Sequence, residues 1–289
     1  MEEQEIRIDI PAIHWFPGHM AKTRRMIVDS LKLVDLVLEL ADARIPRSSR
    51  NPELDGWING KPRILMLNKS DQADPEMTQR WLAYFRSEGI PALACDCRSG
   101  AGVNRFQPLV RQTLADQLAR RKEKGMEGRI RIMVVGVPNV GKSSFINRMA
   151  GGRRAKAEDR PGVTRGKQWV RLEKDMELLD MPGVLWPKFE DPLVGEKLAF
   201  TGAVKDDVVD QELLAARLLA CLFQEYPERL AERYGLTEPG SGFFLLEQLG
   251  RRRGMLVSGG EVNTERAAAA LLDEYRAGRL GRLTLERPE

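Results

Sequence analysis

Residues 136–143 carry a phosphate-binding motif, and this motif limits the folds that the chain can adopt. They read Gly-Val-Pro-Asn-Val-Gly-Lys-Ser and fit the pattern G-x-x-x-x-G-K-[ST]. Such a loop works between a β-strand and an α-helix, because the helix N-terminus has to face the phosphates. The apolar run at 130–135 predicts the strand, and the residues from Lys142 onward predict the helix. We therefore expect an α/β fold with parallel strands that alternate with helices.

The residue types of this loop have separate chemical tasks. Glycines let backbone N–H groups approach phosphate oxygens closely, Lys142 places a point charge on the β- and γ-phosphates, and Ser143 offers a hydroxyl to Mg²⁺. The residues expected to contact a nucleotide here are Pro138, Asn139, Val140, Gly141, Lys142, Ser143 and Ser144. The loop alone does not distinguish ATP from GTP.

A base-reading signature lies upstream of the phosphate loop, which reverses the order found in ordinary GTPases. Asn68-Lys69-Ser70-Asp71 fits N-K-x-D and follows the apolar run at 63–67. Asp71 can accept hydrogen bonds from guanine N1 and N2, whereas adenine offers no such donor pair. Asn68 is expected to tether the loop and face the base edge, and the stem of Lys69 to cover the ring. The alternative is a polar turn after a buried strand.

A second contact to the base is expected where the predicted strand at 91–95 ends. Asp96-Cys97-Arg98 precedes a glycine loop and occupies the place of the usual S-A-K motif. Its side chains differ from that motif. The contacts expected from Asp96 and Cys97 are made mainly by backbone N–H groups.

Two further segments predict a magnesium site beside the γ-phosphate. Asp180-Met-Pro-Gly183 fits D-x-x-G, in which the Asp holds the water shell of Mg²⁺ and the Gly N–H meets the γ-phosphate. Thr164 lies between the phosphate loop and this motif, so it is the expected second hydroxyl on Mg²⁺ when the γ-phosphate is present. Ser143, Thr164 and Asp180 are the predicted metal residues. Thr164 could also be a plain loop threonine.

The order of these motifs resembles that of the circularly permuted GTPases. Within them, the opening segment at 15–22 (Trp-Phe-Pro-Gly-His-Met-Ala-Lys) and the segment at 180–189 are similar to the ribosome biogenesis GTPase A (YlqF) family. Gly259-Gly260 and the run Leu280-Gly281-Arg282 also fit, so the resemblance covers nearly the whole chain. It implies a P-loop GTPase domain with permuted motif order, followed by a small all-helical C-terminal domain.

The resemblance also implies a function that spacing cannot give. The family acts late in the assembly of the large (50S) ribosomal subunit, binds ribosomal RNA in its GTP state, and uses its C-terminal helical domain in RNA binding. The expected partners are thus a large-subunit precursor, rRNA and GTP or GDP with Mg²⁺. Hydrolysis is expected to be slow alone and to be stimulated by the ribosomal subunit.

Slow hydrolysis is expected because the water-orienting residue of many GTPases is missing. That glutamine follows D-x-x-G, whereas here the position holds Val184 and then Leu185. The resemblance points to His19 as the catalytic group, since a neutral imidazole can orient water near pH 7. The alternative is a structural histidine packed near Trp15. Asn139 resembles the asparagine that lets some GTPases recruit K⁺, and the alternative is an asparagine that suits the loop conformation.

Strand signals fade after Pro192, which suggests two domains. We predict a permuted GTPase domain over residues 1–192, including the opening segment 1–33, and a helical, RNA-binding domain over 193–289. The strongest helical runs of the second part lie at 213–226 and 264–278.

Composition is compatible with an RNA-binding protein of the cytoplasm. The chain has 46 Lys and Arg against 42 Asp and Glu, and the basic residues cluster at 22–25, 120–122, 153–154 and 251–253. No apolar run reaches the roughly 18 residues needed to cross a bilayer, and residues 1–11 lack the features of a signal peptide. We expect a monomer without membrane contact. Two alternatives remain: a signalling-type GTPase with a protein effector, and an RNA chaperone with a vestigial nucleotide site.

Overall fold

The computed structural model describes residues 18–58, 60–126, 128–151, 167–172, 175–186, 189 and 191–289, with side chains from residue 21 onward. Its centre is a six-stranded sheet with the strand order β3-β2-β1-β4-β6-β5. The strands are β1 Leu36–Asp42, β2 Arg63–Asn68, β3 Ala92–Ala94, β4 Ile130–Gly136, β5 Gln168–Arg171 and β6 Met176–Asp180. All neighbours are parallel except the edge strand β5, which runs antiparallel to β6. The predicted α/β fold is confirmed.

The position of β1 decides where a ligand can bind. β1 pairs with β2 on one side and with β4 on the other, so that Asp42 lies opposite Asn68 and Leu40 opposite Gly136. The chain builds outward from β1 to β3, then returns to add β4 on the other side. Strand order therefore reverses between β1 and β4. In open α/β sheets the crevice outside the carboxyl ends at such a reversal is the usual binding place.

Eleven helices are seen among the described residues. They are α1 Gly18–Leu31, α2 Leu54–Ile58, α3 Pro75–Ser87, α4 Phe106–Thr113, α5 Ala115–Glu123, α6 Lys142–Met149, α7 Pro192–Phe200, α8 Gln211–Glu225, α9 Pro227–Tyr234, α10 Gly242–Arg252 and α11 Thr264–Arg276. Several begin at a side-chain cap: Asp74 accepts from Met77 N before α3, and Asn263 accepts from Arg266 N before α11. None is long and apolar enough to cross a membrane.

The sequence predicts one helix from Val103 to Arg121, and this prediction is wrong in one respect. A short 3₁₀ turn precedes α4, and the chain turns again at Leu114 before α5. Leu114 itself is buried in the core, whereas α5 buries none of its residues. Because α5 contributes only the partly buried Leu118 to the core, little apolar packing keeps it in line with α4.

One apolar core joins the sheet to the helices that follow it. The same cluster contains Ile132 and Val134 of β4, Leu198 of α7, Leu218 of α8 and Leu271 of α11, all of them fully buried. The proposed boundary at residues 192/193 falls at the start of α7, and the core crosses it. The boundary itself stays a prediction.

The chain does not end with its last helix. After α11 the C-terminal segment, residues 283–289, runs back onto the sheet half of the molecule. There Leu283 N donates to Gln72 O at 2.9 Å and Leu285 N donates to Arg44 O at 2.8 Å. The segment thus reaches the loops that follow β1 and β2.

Candidate functional site

The carboxyl ends of the parallel strands bring the predicted motifs together. Asn68 ends β2, Gly136 ends β4 and Asp180 ends β6. Asp96 follows β3 on the same edge. Motifs that are far apart in the chain therefore share one crevice, next to the strand-order reversal.

The phosphate loop opens α6 and depends on a glycine that touches the base-reading segment. Gly141 has φ +100°, a left-handed conformation that side chains rarely adopt. A Cβ at this position would lie 2.2 Å from Asn68 Nδ2. Glycine is therefore required both by the backbone and by the neighbouring amide.

Asn68 links three segments of the site. Its Nδ2 donates to Val140 O at 2.8 Å, and its Oδ1 accepts from Cys97 N at 3.0 Å. The Cys95 thiol also donates to this oxygen, at 3.6 Å. The tether expected from the sequence is present. The amide is engaged in these contacts, so its predicted position at a base edge stays a prediction.

Lys142 and Asp180 face each other at the bottom of the loop. Lys142 Nζ donates to Gly136 O at 3.0 Å and to Val137 O at 2.8 Å. Burial lowers the pKa of this lysine to about 8, and the nearby Asp180 carboxylate opposes the change. The ammonium is thus held beneath the loop by carbonyls that a phosphate could replace as its partners.

Asp180 provides a test of whether the site suits Mg²⁺. Burial raises its pKa to about 6, and Lys142 partly offsets that rise. Its Oδ1 is buried and finds no hydrogen-bond partner among the described residues. Since buried polar atoms are normally paired, an oxygen in this state fits a carboxylate that receives the water shell of a metal. Ser143 is the second residue of α6, next to Lys142 in the same crevice.

The D-x-x-G segment packs directly on the phosphate loop. A Cβ on Gly183 would lie 2.8 Å from Pro138 Cα and 2.9 Å from Pro138 N. Val184 N then donates to Gly136 O at 3.3 Å. Val184 and Leu185 are buried in the core. Neither side chain can orient a water molecule.

Asn139 connects the phosphate loop to the helical part. It has φ +57°, and its Nδ2 donates to Gly202 O at 2.8 Å, in the turn after α7. Its amide oxygen is the atom that could ligate K⁺. Potassium binding stays a prediction.

The base-reading residues lie where the crevice opens to solvent. Asp71 is exposed, as a residue that meets a ligand should be, and partial burial together with the charge of Asp96 raises its pKa. Ser70 N donates to Cys95 O at 3.1 Å. Asp96 shapes its own turn, because its carboxylate accepts from Arg98 N at 2.7 Å and Ser99 N at 3.0 Å.

Sequence reasoning missed Asp42 and Arg44, which adjoin this loop. Lys69 has φ +60°, and its Nζ lies 3.0 Å from Asp42 Oδ2. Asp42 also accepts from Arg44 Nε at 2.9 Å and Nη2 at 2.8 Å. Burial alone would raise the pKa of Asp42, but Arg44 and Lys69 hold it well below its usual range. The available signal was a pair of opposite charges, Asp42 and Arg44, at the end of a fully buried strand.

Arg148 was also missed. It lies on α6, its Nε donates to Cys97 O at 3.4 Å, and its guanidinium contacts the carbonyl of Arg98. The helix that follows the phosphate loop therefore holds the segment that is predicted to make the second base contact. A solitary arginine on a helix gives no sequence signal for such a role.

Two predicted residues lie outside what the structure describes. Thr164 belongs to residues 152–166, which are not among the described residues. His19 lies in the first turn of α1, and its side chain is outside the described part. The assignments of both residues stay predictions.

Comparisons with known proteins agree with this geometry. A family model described as "50S ribosome-binding GTPase" matches residues 131–224. Ribosome biogenesis GTPase A of Bacillus licheniformis is 47% identical over 279 residues, covering 96% of this chain and 99% of the relative. Mitochondrial ribosome-associated GTPase 1 of Xenopus tropicalis is 34% identical, covering 94% of both chains. The crystal structure of GNP-bound YlqF from T. maritima superposes with a TM-score of 0.65, 29% identity, and coverage of 93% of this chain and 99% of that one.

Proposed function

Because the chain belongs to the ribosome biogenesis GTPase A family and hydrolyses GTP in that role, we propose that it binds precursors of the large ribosomal subunit in its GTP state. Hydrolysis on the assembled particle then releases it. The observation that carries this proposal is the short path from the D-x-x-G segment to the helical part. Asp180–Gly183 packs on the phosphate loop, and α7 begins at Pro192.

The nucleotide is proposed to bind across the carboxyl edge of the sheet. Asp71 reads the guanine edge, backbone N–H groups near Cys97 add a second base contact, and the phosphate loop with Lys142 holds the phosphates. Ser143, Thr164 and Asp180 would hold Mg²⁺ and its water shell. Mg²⁺ held there would supply positive charge that stabilises the phosphate oxygens during hydrolysis.

Two contacts could carry the nucleotide state into the helical part. Gly183 lies so close to Pro138 that a Cβ on residue 183 would be 2.8 Å from Pro138 Cα, so the two backbone segments are packed together. Asn139 is bonded to Gly202 on the far side of α7. A γ-phosphate that pulls on the D-x-x-G backbone would thus act on both ends of α7.

We propose that the protein contacts RNA on the surface of the ribosomal particle. Arg251, Arg252 and Arg253 at the end of α10 are exposed, as are Lys22 and Arg120. Arginine and lysine contacts to phosphates release counterions and make binding depend on salt.

Slow hydrolysis without the ribosome is part of the proposal. Val184 and Leu185 are buried, so the water-orienting group has to come from elsewhere, and His19 is the candidate. Purified large subunits should raise the GTPase rate. His19→Ala should abolish that stimulation and leave nucleotide affinity near that of the wild type. A loss of nucleotide binding would instead make His19 structural.

Sucrose-gradient co-sedimentation tests the central claim. The protein should move with large subunits when bound to a non-hydrolysable GTP analogue and stay at the top of the gradient with GDP. Arg252→Glu should weaken this association, whereas Arg80→Glu, an exposed arginine of α3 that pairs with Glu76, should not. Equal sedimentation in both nucleotide states, or subunits that leave the GTPase rate unchanged, would count against the proposal.

A further inference from the structure

The C-terminal segment holds the outer end of the base-reading loop. Leu283 N donates to Gln72 O at 2.9 Å, directly after Asp71. Asp74 N donates to Thr284 Oγ1 at 3.0 Å, although the two residues are 210 positions apart. Asp71 therefore stands between Lys69 on one side and two bonds from the C-terminus on the other.

The inner end of the same loop is held through a buried ion pair. Arg44 Nη1 donates to Tyr275 O at 3.0 Å, and its guanidinium lies over the Tyr275 ring at 5.0 Å. Arg44 is fully buried and also binds the Asp42 carboxylate, which in turn contacts Lys69. Helix α11 thus reaches the lysine of N-K-x-D through a hydrogen bond to Arg44 and two successive ion pairs on Asp42.

The buried carboxylate of Glu286 fixes the position of the C-terminal segment against the sheet half. Glu286 accepts from Arg47 N at 2.7 Å and lies 3.2 Å from Lys197 Nζ of α7. Its backbone oxygen accepts from Trp81 Nε1 at 3.0 Å. Any shift of the segment along the sheet half would break these bonds. Such a shift is unfavourable, because leaving a buried polar group unpaired costs free energy.

We propose that the C-terminal segment and Tyr275 are positioning elements for guanine recognition. They hold Asp71 and Lys69 in the geometry that reads the base, so this half of the nucleotide site is completed by the end of the chain. The proposal rests on the base-reading role proposed for Asp71. It is distinct from the proposed effect of the γ-phosphate on α7. The base is the same in GTP and GDP, so the affinities for both nucleotides should depend equally on the C-terminal segment.

Base discrimination separates positioning from simple stability. Inosine lacks the guanine N2 amino group, so an inosine nucleotide keeps only one of the two donors that Asp71 can accept. The ratio of IDP to GDP dissociation constants therefore measures how well Asp71 is placed. A change that only weakens folding lowers the amount of active protein and leaves this ratio unchanged.

Thr284→Val in the full-length protein is the first test. It keeps the volume of the side chain and removes the hydroxyl that accepts from Asp74 N. GDP and a non-hydrolysable GTP analogue should both bind about five- to tenfold more weakly, as expected for a lost bond to a partly buried donor. The preference for GDP over IDP should fall. Glu286→Gln provides a second variant should Thr284→Val fold poorly.

Arg287→Met is the matched control in the same segment. Arg287 is exposed and pairs with Glu225 of α8 instead of the sheet half. It should leave the affinities and the ratio unchanged. Asp71→Asn, tested with XDP, establishes separately whether Asp71 reads the base.

The outcomes are distinct. If Thr284→Val and Glu286→Gln leave the GDP-to-IDP ratio at its wild-type value, the positioning role is overturned even if affinity falls. If Asp71→Asn gains no affinity for XDP, the base-reader assignment fails and this proposal fails with it. Neither result affects binding to the ribosomal subunit, which the gradient experiment measures.

Discussion

The contact between Gly141 and Asn68 leads to a quantitative prediction about two motifs that are distant in sequence. A methyl group on residue 141 would lie 2.2 Å from Asn68 Nδ2, so the two cannot coexist without movement. Asn68 cannot move freely, since its amide bonds Val140 O at 2.8 Å and Cys97 N at 3.0 Å. Gly141→Ala should therefore break the tether of Asn68 as well as strain its own backbone.

The magnitudes follow from these contacts. An alanine at a positive φ costs about 1–2 kcal/mol, and the two lost hydrogen bonds of Asn68 cost about 1 kcal/mol each. Gly141→Ala should destabilise the nucleotide-free protein by about 3–4 kcal/mol, and Asn68→Ala by about 2 kcal/mol. In the double variant the clash is absent, so its cost should remain at about 3–4 kcal/mol, which is about 2 kcal/mol less than the sum.

Urea unfolding of the nucleotide-free single and double variants measures this non-additivity. Gly125→Ala is the control, because Gly125 has φ +63° but no atom within 4 Å of an added Cβ. It should cost about 1–2 kcal/mol and add fully to Asn68→Ala. If Gly141→Ala and Asn68→Ala are also additive, the two residues are not in contact and the reasoning is wrong.

Three further predictions concern the nucleotide site. Gly183→Ala places a Cβ 2.8 Å from Pro138 Cα and should reduce single-turnover GTP hydrolysis strongly, with GDP affinity changed by less than about threefold; equal loss of both would refute it. The pKa of Lys142 is lowered to about 8, so in the free protein this side chain loses its positive charge as the pH rises. The GDP dissociation constant should therefore increase above pH ~8, by up to about tenfold per pH unit. A dissociation constant that stays unchanged to pH ~9.5 would contradict this. Arg148→Met frees the carbonyls of Cys97 and Arg98 and should weaken GDP binding by about five- to tenfold in a fluorescence titration, whereas the matched Arg80→Met should not.

The local parts of the site could be predicted from sequence because each is a short motif with its own context. A strand, a glycine loop and a helix are consecutive in the chain, so the phosphate loop needs no knowledge of the rest of the fold. The same holds for Asn68 and Asp71 after β2. Even the tether of Asn68 could be expected, since the motif itself requires one.

The supports of the site could not be predicted, because they join residues that no pattern relates. Arg44 meets Tyr275, and Asp74 meets Thr284, only after the chain has folded back on itself. Asp42 and Arg44 give a local signal, a charged pair at the end of a buried strand. No pattern in the sequence indicates that Arg44 contacts Tyr275. Residues 283–289 carry no regular pattern, so they drew no separate prediction.

The bond between Asn139 and Gly202 and the bonds of the C-terminal segment have a joint consequence. The helical part and the C-terminal segment behind it contact the proposed nucleotide site at two places. Gly202 bonds Asn139 of the phosphate loop, and the C-terminal segment bonds Gln72 and Asp74 beside the predicted base-reading residues. A partner that binds the helical part is therefore expected to change the affinity for nucleotide. By thermodynamic reciprocity, the nucleotide changes the affinity for that partner by the same factor. A ribosomal particle that prefers the GTP form by about a hundredfold must tighten GTP relative to GDP by the same factor. The particle would then act as an effector of nucleotide binding as well as a docking site.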